Sequence, residues 1–83
     1  MMRANMNDYK HLAFLELGTL TKTKKYKVVN KLTFFKLGEI KWYYPWRKYC
    51  FIIDSPGLVF DAGCLADIQD FINKLMAERR KSK

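Results

Sequence analysis

A proline set between two alternating arms limits the folds open to this chain. In Glu39-Ile-Lys-Trp-Tyr-Tyr-Pro-Trp-Arg-Lys-Tyr-Cys-Phe-Ile-Ile53, six of the ten residues from 42 to 51 are aromatic, with Lys41, Arg47 and Lys48 among them. Side chains alternate between the two faces of a strand. The first arm therefore places Ile40, Trp42 and Tyr44 on one face and Lys41 and Tyr43 on the other. The second arm, residues 47–53, sets Tyr49, Phe51 and Ile53 against Lys48, Cys50 and Ile52. Pro45 has no N–H to donate to a ladder, so the chain must turn there. The two arms read as a hairpin, and apolar residues on both faces of the second arm predict a central strand.

Upstream, Tyr26-Lys-Val-Val-Asn-Lys31 alternates with β-branched residues and reads as another strand. Residues 32–37 fit either a wide hairpin loop or a strand extension, and Gly38 marks a turn or bulge. His11 to Leu17, stopped by Gly18, fits a short helix or a buried strand, of which the strand is preferred. Residues 1–10 show no period and read as a leader, residues 11–80 as one domain, and residues 81–83 as a basic tail. Downstream, Asp54-Ser-Pro-Gly57 supplies turn chemistry and residues 58–60 a last short strand. Asp61 is a good N-cap. Beyond it Leu65, Ile68, Phe71, Ile72, Leu75 and Met76 recur at intervals of three and four, as one apolar face of a helix. Strands followed by a single helix predict an α+β domain, in which a small antiparallel sheet of three to four strands carries one C-terminal helix across one face.

The chain has 83 residues, 49% of them hydrophobic, and a formal net charge of +8. One domain of this size buries about 60% of its unfolded surface, so every core side chain matters. Residues 19–48 hold nine Lys or Arg against the single acid Glu39, whereas residues 49–73 hold four Asp and no base. Such asymmetry creates a positive field that attracts nucleic acid, nucleotides, anionic lipid headgroups or an acidic protein surface. Lysines on edge strands also block aggregation, and late cations suit a helix C-terminus, so part of the charge has a purely structural account. No run approaches 18 apolar residues, and with only two cysteines the chain reads as cytoplasmic, with no membrane partner.

Motifs of catalysis are missing: there is no Gly-rich phosphate loop, no nucleophile elbow, and no His-x-x-x-His or Cys-x-x-Cys spacing. His11 and two distant cysteines make neither a triad nor a zinc site. Asp67 and Asp70 lie on one side of the helix without a third ligand and read as solvated surface. Cys64, in the first helical turn beside Asp61, reads as a small buried side chain rather than a reactive thiol. The expectation is therefore a non-enzyme with no cofactor and no metal.

What is left is the hairpin. Aromatic rings interleaved with cations let bases stack while phosphates are neutralised. The same rings must also help build a small core, so the roles divide. Alternation assigns Tyr49 and Phe51 to the core and leaves Lys41, Tyr43, Trp46, Arg47 and Lys48 as the binding candidates, with Trp42 and Tyr44 open to either role. The partner expected is nucleic acid or a nucleotide, or alternatively an acidic protein met by a phage-type inhibitor or adaptor.

The pattern Leu37-Gly38-x-Ile40-x-Trp42-Tyr43-x-x-Trp46-Arg47-x-Tyr49-x-Phe51, with Val59-Phe60 and Cys64-Leu65-x-Asp67-Ile68-x-x-Phe71-Ile72-x-x-Leu75 after it, is similar to a family of small uncharacterised proteins of bacteria and their phages. The resemblance covers roughly residues 26–77. It implies a compact domain of phage or prophage origin, and it transfers no catalytic or binding residue.

Overall fold

A computed structural model of the chain describes residues 9–18 and 23–81. Four strands, β1 (Leu12–Glu16), β2 (Tyr26–Asn30), β3 (Lys36–Tyr43) and β4 (Lys48–Ile53), precede one helix, α1 (Ala62–Lys81). The strands form an antiparallel sheet in the order β1-β2-β3-β4, with α1 across one face. This is the α+β architecture the sequence predicts, and residues 11–17 contribute a strand, as preferred.

Alternation decides which side chains meet the helix. Leu12 and Phe14 of β1, Tyr26 and Val28 of β2, Ile40 of β3 and Tyr49 of β4 join Ile68, Phe71 and Leu75 of α1 in one buried cluster. Phe71 is its hub, stacked on Phe14 with centroids 4.1 Å apart and meeting Tyr26 edge-on at 4.8 Å. Such ring pairs add to the burial of area. Asp61 caps α1 as expected: its Oδ1 accepts the Cys64 N–H at 2.9 Å. That bond, more than anything else, holds the Asp61 carboxyl below its ordinary pKa.

Gly38 lies inside β3, at a shift of register where Val28 pairs with Gly38 but Val29 pairs with Lys36. Leu37 is the extra residue of this bulge. A side chain at position 38 would collide with the Ile52 carbonyl oxygen and stand 2.8 Å from the Phe51 ring. Only glycine lets β4 lie so close.

Several expectations change. Among the described residues β4 is an edge strand rather than a central one, pairing only with β3. Its two apolar faces have separate causes: α1 covers Tyr49, while Ile52 on the other face is exposed. Residues 58–60 form no strand, because the chain leaves the sheet there to reach the helix layer, and Phe60 packs edge-on against Phe51 instead. Leu65 is 53% exposed, and the inward positions of α1 run through Cys64, Ile68, Phe71, Ile72, Leu75 and Met76. Tyr9, within the expected leader, belongs to the core. The rest of that leader, residues 1–8, and the last two residues of the expected tail lie outside the described residues.

The N-terminal segment is tied to α1 by the two aspartates read as solvated surface. The Tyr9 hydroxyl donates to Asp70 Oδ2 at 2.7 Å, and the His11 N–H donates to Asp67 Oδ2 at 3.2 Å. At its other end α1 reaches β4, where Met76 Sδ accepts the Tyr49 N–H at 3.5 Å. The helix thus runs from the start of β1 towards the hairpin of β3 and β4.

Candidate nucleic-acid interface

Residues 44–47 close the hairpin in a single helical turn that does not continue. The Arg47 N–H donates to the carbonyls of Tyr43 at 2.8 Å and Tyr44 at 3.1 Å, and Arg47 then takes a left-handed φ of 55°. Glycine is the usual occupant of such a position. The turn ends β3 at Tyr43, so Tyr44 leaves the strand alternation and projects from the tip, 69% exposed.

All five predicted residues, Lys41, Tyr43, Trp46, Arg47 and Lys48, are exposed, and the register brings them together. Tyr43 pairs with Lys48 across the strands, and its ring meets Trp46 edge-on at 5.2 Å. Trp46 is 65% exposed despite that contact. Trp42, open to either role, is half-buried and meets Tyr49 edge-on at 5.3 Å on the helix side. Tyr49 and Phe51 belong to the core side, as alternation assigns them.

Three further cations join this end of the molecule. Arg79 sits over the Trp42 ring, 4.0 Å from its centroid, within the range of a cation–π contact. Lys24 and Lys25 arrive from the segment before β2: the Lys24 N–H donates to the Tyr49 hydroxyl at 3.1 Å, and Lys24 also lies 3.9 Å from Glu78. An open groove of about 990 Å³ runs between this segment and the hairpin, lined by Leu17, Lys24, Lys25, Lys41, Tyr43 and Ile52 among others. Lys24 and Lys25 carry no sequence signal linking them to the hairpin. Arg79 does: it continues the 68, 72, 75 spacing of the inward face, where a cation needs a partner.

Acids near the site are few and paired. Glu39, on the face away from α1, lies 3.2 Å from Lys36 and 3.6 Å from Lys25. Partial burial works to raise its pKa, but Lys36, Lys25 and Lys41 outweigh that and hold it below the ordinary glutamate value. Among the described residues, no acid forms an ion pair with Lys27, Lys41, Arg47 or Lys48.

Among the described residues, no group of three or more His, Cys, Asp and Glu has the placement to hold a metal ion. Cys50 and Cys64 are free thiols, and burial, followed by Asp61, pushes the Cys64 thiol above its ordinary pKa. Among the described residues, no helix is long and apolar enough to cross a membrane.

Over 60 residues, 72% of this chain and 76% of the other, the sequence is 43% identical to a protein described as an uncharacterized 9.3 kDa protein of Acholeplasma phage L2. The chain belongs to the family of that phage protein. No protein-family model matches it, and neither does any solved structure. The phage relative brings no activity with it, so the function of this family must be argued from the hairpin itself.

Proposed function

We propose that this protein is a small non-enzymatic module of the cytoplasm that binds nucleic acid or a nucleotide through the tip of the β3–β4 hairpin. One observation carries the reading: the exposed rings of Tyr43, Tyr44 and Trp46 stand beside Lys41, Arg47 and Lys48, and none of these cations is ion-paired to a described acid. Stacking on an aromatic ring contributes about 1–3 kcal/mol per base, and it suits any base because each has a π-face. The cations take the phosphates, releasing counterions, so binding weakens as salt rises. Tyr44 and Trp46, 69% and 65% exposed, keep most of their surface free for such contacts.

The test is fluorescence anisotropy with a labelled oligonucleotide at low salt. Trp46→Ala and Arg47→Ala should each weaken binding at least about fivefold, on the scale of one lost stack or phosphate contact. Absence of binding by the parent protein, or unchanged binding by both variants, rejects the reading. An acidic protein would meet the same cations, and its capture from a lysate treated with nuclease, with no oligonucleotide binding, would favour that partner instead.

A further inference from the structure

We infer that the ligand is a single strand, and that it runs from the hairpin tip across the sheet face away from α1 as far as Lys27, short of Ala13 and Val29, which are buried on that face. This rests on the proposed binding at the tip and extends it to a residue outside the hairpin, Lys27. Lys48, Lys41 and Lys27 flank the core residues Tyr49, Ile40 and Tyr26 or Val28, so alternation puts all three on the face away from the helix. The register places them on a diagonal. Lys48 pairs with Tyr43, Lys41 lies two residues back along β3, and Lys27 pairs with Glu39, a further two residues back.

Each step crosses one strand and moves two residues along it, which spaces the Cα positions by about 8 Å. That is of the order of the repeat of an extended nucleotide backbone, so successive phosphates can meet successive lysines. No described acid is ion-paired to any of the three. Glu39, the one acid beside the diagonal, is shared between Lys25 and Lys36. Of the three, Lys41 also lines the open groove beside Leu17, Lys25 and Tyr43. Charge complementarity therefore names a polyanion as the occupant of the face. The exposed rings at the tip select a single strand, because a duplex keeps its bases stacked on each other.

The experiment compares Lys27→Gln, Lys41→Gln, Trp46→Ala and the exposed Lys10→Gln, at the far end of the sheet, on a labelled oligothymidylate and on a duplex of equal length. Circular dichroism checks that each variant is folded. Lys27→Gln and Lys41→Gln should each lower affinity about two- to fivefold and reduce the slope of log K against log salt by about 0.7, the value for one phosphate contact on a single strand. Lys10→Gln should change neither, and the duplex should bind at least about fivefold more weakly, its bases being unavailable for stacking. If Trp46→Ala weakens binding but Lys27→Gln leaves the slope unchanged, the tip binds without the open face, and only this inference falls. Duplex binding equal to or tighter than single-strand binding also overturns it. Failure of every oligonucleotide to bind removes both readings together.

Discussion

Arg47 combines the backbone demand of the turn with the chemistry of the proposed site. Its left-handed φ of 55° costs an L-residue about 1–2 kcal/mol relative to a right-handed position. Arg47→Gly relieves that strain while deleting the cation, so thermal stability should hold or rise as oligonucleotide affinity falls several-fold. Melting and anisotropy on the same sample check this, and undiminished affinity would show that Arg47 is not a contact. Gly38 makes the opposite case, since its constraint is space. Gly38→Ala forces a methyl group against the Ile52 carbonyl and the Phe51 ring, and should destabilise by about 2 kcal/mol or more in urea unfolding. A neutral result would mean that β4 can move away from the bulge freely.

At the scale of elements, the apolar period of α1 places Ile68, Phe71, Ile72, Leu75 and Met76 inward as read from the sequence and misses only at its first position. Leu65 fits the apolar spacing, but Cys64 and Ile68 face the sheet in that first part of the helix and Leu65 faces water. Ile68→Ala should therefore cost about 2–4 kcal/mol, and Leu65→Ala less than about 1 kcal/mol, read as shifts in the urea midpoint. Equal costs would mean that Leu65 is packed inside as the spacing alone suggests. Edge position was hidden in β4 for a related reason. Apolar residues on both faces look the same in sequence whether a helix, a neighbouring strand or nothing covers them. The last predicted strand failed similarly, since residues 58–60 have strand composition but no partner within reach.

Across the whole molecule, the N-terminal segment, sheet and helix are joined through Tyr9. Its ring meets Phe14 and Phe71 edge-on, and its hydroxyl donates to Asp70 beside Lys74. Burial, helped by the bond to Asp70, pushes the hydroxyl from 10.0 up to about 12. A raised pKa means that the folded state holds this proton more tightly. The stabilisation is present in full below pH 10 and is lost as the pH rises to about 12. Tyr9→Phe should lower the melting temperature at pH 7, and the difference from the parent protein should narrow across that interval. A difference that stays constant would separate the stability effect from the proton. The same global arrangement brings the hairpin, the segment before β2 and the end of α1 together, where Arg79 lies over Trp42 and the Lys24 N–H bonds the Tyr49 hydroxyl.

The sequence by itself determined the α+β class, the Pro45 hairpin, the Asp61 cap and the five exposed residues at the tip. Each rests on local rules: alternation, a missing N–H, a side chain bonding a nearby backbone group. The tertiary structure alone decided that β4 is an edge, that Leu65 is outside and Tyr9 inside, and that Lys24 and Lys25 stand beside the hairpin. Those facts depend on the phase of one element against another, and on contacts between residues far apart in the chain. A sequence records such contacts only where a residue breaks its own pattern, as Arg79 does on the inward face of α1.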